Sequence, residues 1–284
     1  MAASGDRLRG KVVVIAGASA GIGAAVAHRM AAEGARLVLA ARGRERLEGL
    51  VSQLTGAGAE AIGVPTDIGR DADCAALIER AVSAFGGLDI LINNAALHHR
   101  GPVESIAPEH LADMVSVNLR APILLTRLAL PHLRARGGGA VVQVASLAGC
   151  LPAPGSATYS ATKFGLRIFA RALDEELRGS GIRIKVVSPG PVETGFILDD
   201  LEHVTDLTLS QPMSTADEIA AAVVEAALDD RFERKMPAMS GMLATLGYLS
   251  PGLGRTLRPM LERRGRKVRE AIMAKAAQVE GKAK

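Results

Sequence analysis

Aromatic residues are almost missing from this chain: they make up 2% of 284 residues, with two Tyr, five Phe and no Trp. Such scarcity disfavours a nucleic-acid reader built on stacked bases. It leaves a core of aliphatic side chains and alanine, for which a 48% apolar content is ample. Cysteine is equally sparse. Cys74 and Cys150 provide neither a disulfide framework nor the spacing of a metal site, so no metal is expected. Met1 to Gly10 lacks the apolar run of a secretory leader, and a cytoplasmic protein is expected. Repeats and low-complexity linkers are absent too, which leaves a single domain as the simplest organisation. Basic charge is confined to one end. Residues 255–284 hold ten Lys/Arg against three Asp/Glu, a net +7, so the first 254 residues carry −3 of the chain's +4. The basic balance therefore belongs to a tail, and nucleic-acid binding by the body is not expected.

What is present centres on Tyr159-Ser-Ala-Thr-Lys163, with Ser146 ahead of it. Residues four apart lie one above the other on a helix, which sets an ammonium beside a phenol. A nearby cation favours phenolate, so the pair is expected to trade a proton near neutral pH. Ser146 follows a buried-strand pattern and is placed to hold an oxygen that Tyr159 protonates or deprotonates.

The chain leading to this stretch alternates strand and helix patterns. Lys11–Ala16 is a short β-branched run of the kind buried on both faces of a parallel sheet. It enters Gly17-Ala-Ser-Ala-Gly21-Ile22-Gly23 and then a helix ending at Gly34, the context in which such glycines bind a dinucleotide. A second strand, Arg36–Ala40, ends at Ala41-Arg42. An acidic residue there would bond the 2′-hydroxyl of NAD, whereas Arg42 offers a planar fork for a 2′-phosphate. Further strands are expected at 61–64, 89–92, 140–144 and 183–187. The helix after the third carries Cys74, Leu77, Ile78, Ala81, Val82 and Phe85 on one stripe, which makes Cys74 a core thiol. A long helical pattern over 108–136 contains Asn118, a poor helix-interior residue that suggests a kink or a bound water. Thr215-x-x-Glu218 reads as a capping box. The fold class is α/β: a doubly wound, mostly parallel sheet with helices on both faces, a Rossmann fold, over residues 1–235, with a substrate loop at about 191–214.

Together these ordered motifs resemble the short-chain dehydrogenase/reductase family over about residues 8–230. The family's Gly-rich motif falls on Gly17, Gly21 and Gly23, and its Asn-Asn-Ala-Gly motif on Asn93 to Ala96. Its catalytic tetrad falls on Asn118, Ser146, Tyr159 and Lys163. The cofactor set that the resemblance implies is Gly17, Ser19, Gly21, Ile22, Gly23, Arg42, Asp67, Ile68, Asn94, Ala95, Tyr159, Lys163, Pro189, Gly190, Val192 and Thr194. Three positions depart from the family pattern. Ala16 removes a hydroxyl that usually links the Gly-rich turn to the Asn94 segment. Ala96 replaces a Gly, and Ala20 stands where many NADP-preferring members place a cation.

The resemblance implies an NADP(H)-dependent oxidoreductase, with NADP(H) favoured over NAD(H) by Arg42. It would interconvert a secondary alcohol and a ketone, with reduction as the working direction. Ser146 would hold the substrate oxygen and Tyr159 would exchange its proton. Lys163 would lower the phenol's pKa and bond the nicotinamide ribose, while Asn118 would anchor a relay water. A cofactor-binding module without turnover is the alternative on the same fold. His98 and His99 lie near the mouth as loop histidines of undecided role, and Cys150 reads as a small apolar wall residue. At least a homodimer is implied, through the helices beginning at Pro108 and Ser156. The segment 234–241, with Pro237 inside it, is a poor template for the last strand that the family's tetramers use.

Residues 236–284 are least covered by the resemblance. Met236–Gly254 contains no charged residue. A basic segment follows, with Leu257, Leu261, Val268, Ile272 and Val279 at near-helical spacing. The pair reads as an apolar lid over the pocket or a subunit contact followed by a solvated helix, or as a peripheral membrane contact.

Overall fold

The computed structural model describes residues 6–282, and their side chains except Leu253 and residues 275–282. Residues 1–5 of the segment read for a leader, and the Val279 side chain, lie outside that description. Among the described residues, seven strands form one parallel sheet in the order β3-β2-β1-β4-β5-β6-β7. They are β1 (Val12–Ala16), β2 (Arg36–Ala41), β3 (Ala61–Pro65), β4 (Ile90–Asn93), β5 (Gly139–Val144), β6 (Ile182–Pro189) and β7 (Glu233–Met236). Strand order reverses direction between β1 and β4, and the crevice at that switch point is where open α/β sheets bind ligands. β1 is buried at every position, as its unbroken aliphatic run requires.

Helices cover both faces. α1 (Gly21–Ala32), α2 (Arg44–Gly56) and α9 (Ala216–Leu228) pack on one side, over Val13, Ile15, Leu37 and Leu39. On the other, α3 (Asp71–Phe85), α5 (Ala121–Ala135) and α6 (Ala157–Glu176) cover Val12, Val14, Val38 and Leu91. Alternate strand residues therefore feed opposite core layers, as the period of two demands. Cys74 is fully buried in the second layer, where burial raises its thiol to about 11. The capping box at Thr215 is formed in both directions and opens α9.

Two elements differ from the sequence reading. The pattern over 108–136 is divided into α4 (Pro108–Val115) and α5 by a π-helical turn over Ser116–Arg120, with Asn118 inside it. The break that the Asn suggested is thus a widened turn, a device common at functional sites. The segment read as a poor strand template does make β7. It pairs in parallel with β6 and stops at Met236, so Pro237 falls just outside the ladder and removes no sheet donor.

The sheet edge at β7 is tied to α6 by a part-buried polar network. Arg167 of α6 makes a two-pronged bond to Glu233, at 2.7 and 2.8 Å, and donates to the Gly149 carbonyl at 2.7 Å. Ser188 of β6 donates to the same carboxylate at 2.7 Å. Burial pushes the Glu233 carboxyl up, but the bonds from Arg167 and Ser188 outweigh it and hold it below the ordinary glutamate range. A depressed folded pKa gives stability that is present above the unfolded value and lost as pH falls through the folded one. Glu233→Gln should therefore cost roughly 1–3 kcal/mol at neutral pH, and the difference from wild type should shrink in urea melts run below about pH 4.

Candidate active site

The Gly-rich turn follows β1 and feeds α1, whose N-cap Ala20 makes no side-chain capping bond. The first-turn N–H groups and the helix dipole therefore face the cleft uncompensated, which suits a pyrophosphate. Two glycines make this turn possible. Gly17 has φ of 79°, and a Cβ on it would lie 2.6 Å from the Ala95 backbone. A Cβ on Gly23 would collide with the Gly17 carbonyl oxygen. The hydroxyl missing at Ala16 is replaced by other bonds. Asn94 donates from Nδ2 to the Gly17 carbonyl at 2.8 Å, and its backbone N–H reaches Ala16 at 3.2 Å.

Along the carboxyl ends of the strands runs a cleft of about 870 Å³. At one end it is bounded by Ser19, Gly21 and Ile22, and then by Arg42 with Asp67 and Ile68 beyond it. Asn94 and Ala95 form its floor, and Pro189, Gly190, Val192 and Thr194 its far wall. Gly23 stands behind the wall and shapes the turn from within. Arg46, in the first turn of α2, also lines the cleft four residues from Arg42, and both guanidinium groups are exposed. The sequence reading missed it, because Arg42 precedes the helix and helical spacing does not relate the two arginines.

Ser146, Tyr159 and Lys163 converge at the middle of the cleft. Ser146 sits just past β5, its Oγ accepting from the Ala148 N–H at 3.1 Å and donating to the Pro189 carbonyl at 3.4 Å. Lys163 is 1% exposed and donates from Nζ to the Val144 carbonyl at 2.9 Å. Burial pushes its pKa down to about 8. Burial also pushes the Tyr159 phenol up to about 12, against the opposing effects of Ser146 and the Arg100 charge. This corrects the expectation that Lys163 draws the phenol toward ionisation at neutral pH. Its Nζ lies 5.8 Å from the Tyr159 ring centroid, and desolvation of the phenol outweighs attraction at that range. The Tyr159 phenol is thus held in its neutral form.

Asn118 is 0% exposed and does not reach the cleft. Its side chain clamps the Leu97 backbone, accepting from its N–H and donating to its C=O, each at 2.7 Å. With both ends of the amide engaged, the Asn118 side chain holds the loop after β4 in place.

That loop carries the residues that sequence left undecided. His98 stacks on Tyr159, with centroids 4.0 Å apart and planes 13° from parallel. Burial, aided by Arg100, pushes it down to about 3, so it is neutral, and its Nε2 is buried without a partner in the structure. His99 stacks instead on His110. Arg100, its side chain 6% exposed, pairs with Asp200 and lies over the Phe196 ring at 5.3 Å. It thereby pins α7 (Gly195–Leu198) and the following segment over the cleft. Cys150 does not line the cleft; it is buried behind it with Leu147 and Ala244, and burial raises its thiol pKa.

A parallel sheet of this order, with a Gly-rich turn at the switch point and a Ser/Tyr/Lys cluster beside it, defines a nicotinamide-dependent oxidoreductase. The short chain dehydrogenase family model matches residues 11–203, and the chain belongs to that family. A ketoacyl reductase of Nostoc sp. is 35% identical over 218 residues, covering 76% of each chain. A metagenomic short-chain oxidoreductase, solved in complex with NADP, superposes with a TM-score of 0.69 at 32% identity, over 81% of this chain and 97% of that one. A short-chain dehydrogenase/reductase from Burkholderia phymatum, solved with NAD, superposes with a TM-score of 0.78 at 28% identity, over 87% and 96%. The protein is therefore an NAD(P)-dependent enzyme acting on CH–OH groups. Among the described residues, no helix is long and apolar enough to cross a membrane.

Gly23→Ala should lower affinity for either dinucleotide at least tenfold by isothermal titration, because the new methyl strikes backbone. Gly49→Ala on α2, where nothing lies within 4 Å, is the matched control. It should bind normally and gain up to about 1 kcal/mol in stability.

Proposed function

We propose that this chain is an NADP(H)-dependent ketoreductase/alcohol dehydrogenase that uses Tyr159 as its proton donor and acceptor. The observation that carries this reading is the convergence of Ser146 with the buried Tyr159 and Lys163 on one cleft. Ser146 holds the substrate oxygen, and Tyr159 gives that oxygen its proton in reduction and takes it back in oxidation. The bound nicotinamide supplies or accepts the hydride at the carbonyl carbon. Lys163, at about 8, is poised to carry a charge beside the ribose and to return a proton to the phenol. Asn118 fixes the Leu97–Arg100 loop, and neutral His98 holds the Tyr159 ring in place by stacking. Phe196, His98 and Leu151 give the substrate end a mostly apolar lining, which favours ketones with a compact apolar body.

Support for NADP(H) over NAD(H) comes from the second arginine. Arg42 and Arg46 together offer two planar forks at the adenosine end, with no carboxylate at the Ala41 position to oppose a 2′-phosphate. Assembly into at least a homodimer is supported by large apolar side chains left exposed on the faces of α4 and α6, namely Val115, Phe164 and Ile168.

Tyr159→Phe should keep the ring and the stack on His98 while removing the acid. Turnover of a ketone panel, followed by NADPH absorbance, should fall on the order of 10²–10⁴, with NADPH affinity nearly unchanged. Retention of more than a tenth of the wild-type kcat would assign the proton to another group. For the cofactor, Arg42→Asp should lower the NADPH-over-NADH ratio of kcat/KM by more than tenfold, since a charge-assisted bond contributes roughly 1.5–3 kcal/mol. Arg42→Ala should do less, because Arg46 remains, and the double alanine variant should match Arg42→Asp. An unchanged ratio in the double variant would assign the enzyme to NAD.

A further inference from the structure

The last two helices invert the polarity of a normal surface helix. α10 (Ala238–Leu249) turns the small residues Ser240, Gly241 and Ala244 toward the body. Its outer face carries Met239, Met242, Leu243, Leu246 and Leu249, a single stripe at offsets of 3, 4, 7 and 10, each between 47% and 73% exposed. A soluble helix ordinarily buries such a stripe. α11 (Pro251–Lys282) follows directly. It lays Leu261, Gly265, Val268 and Ile272 against the body, where Arg266 and Arg269 pair with Asp206. On its opposite side Met260, Arg263, Arg264 and Lys267 are exposed along one face, and the three cations have no ion-pair partner among the described residues.

We propose that α10 and the first half of α11 form a docking surface for an anionic lipid bilayer. The α10 stripe enters the boundary between headgroups and acyl chains, and Arg263, Arg264 and Lys267 meet the lipid phosphates and carboxylates. Charge decides for lipid over a second copy of the chain. A second copy docked on this surface would bring a second +7 tail segment to it and supply no compensating charge from that segment, whereas an anionic bilayer satisfies the stripe and the cations together. The −3 carried by residues 1–254 against the +7 of residues 255–284 fixes the orientation, with the tail end down. Four glycines and two prolines between Met236 and Gly254 keep the segment from spanning, so it lies on the surface.

The test is co-sedimentation of the full-length protein with vesicles of phosphatidylcholine alone or mixed with phosphatidylserine. The expected result is binding to the mixed vesicles at low salt, at least tenfold weaker to phosphatidylcholine and weakened by raising salt to about 0.5 M. Replacing Arg263, Arg264 and Lys267 together by Gln should lower partitioning on the order of a hundredfold, at roughly 1 kcal/mol per cation. Leu243→Glu with Leu246→Glu, both at exposed positions, should abolish binding without lowering Tm. Three results would overturn the proposal: no sedimentation with mixed vesicles at low salt, equal and salt-insensitive binding to both vesicle types, or a drop in oligomer mass in the Leu243→Glu, Leu246→Glu variant. The last would make the stripe a subunit contact. The Gln variant, which touches only solvated side chains, decides the matter even if the Glu variant fails to fold.

Discussion

The site depends on one close approach of backbone to backbone, where the turn after β1 meets the turn after β4. Gly17 and Gly23 leave room for it, since side chains at these positions would occupy the space of Ala95 and of the Gly17 carbonyl. Asn94 closes the gap by donating to that carbonyl. Because β1 and β4 are sheet neighbours at the switch point, fixing these turns fixes the direction of α1 and the path of the chain from Ala95 onward. Asn118 then takes hold of that path at Leu97, and the loop delivers His98 onto Tyr159. The nucleotide end and the reacting end are thus placed by one continuous run of short-range contacts. No long side chain has to span the cleft.

Within that frame, burial governs the chemistry more than charge pairing does. Tyr159 and Lys163 are both removed from water, and removal disfavours the charged form of each, so the phenol rises and the ammonium falls. Their proton affinities move apart, and the phenol becomes the more strongly protonated of the two. A phenol near 12 stays protonated at neutral pH, and in the proposed reaction it would give up its proton only to a substrate oxyanion of comparable or higher proton affinity. A substrate oxygen gaining negative charge supplies the driving force for the transfer. Ser146 and the Arg100 charge both act to ease it.

The sequence disclosed those parts of this arrangement that are local. Strand–glycine turn–helix, the Tyr159/Lys163 spacing and the strain implied by Asn118 inside a helix all follow from what a few neighbouring residues require of the backbone. The missed features depend on where distant segments meet. Arg46 becomes a cleft residue through the course of the chain across Gly43, the N-cap of α2, which brings the first turn of that helix to the cleft. The stacking of His98 follows from the loop path set by Asn118, which no periodicity records. β7 was discounted for Pro237, yet the strand ends one residue earlier. The uncharged run after Met236 was visible, but which side of it packs was not. The small residues Ser240, Gly241 and Ala244 at helical spacing carried that information.

The same geometry constrains what α10 does for the enzyme. Ala244 packs with Leu147 and Cys150, and Leu147 is part of the cleft wall. β7, which leads into α10, is held to α6 through Glu233 and Arg167, and Arg167 also grips Gly149 beside the same wall. These bonds are part-buried and mutually reinforcing, and they offer one arrangement where a switch would need two. α10, the wall and the helix bearing Tyr159 and Lys163 are therefore joined by direct contacts. A surface that captures the α10 stripe fixes the orientation of the cleft relative to itself and leaves the proton chemistry at Tyr159 unchanged.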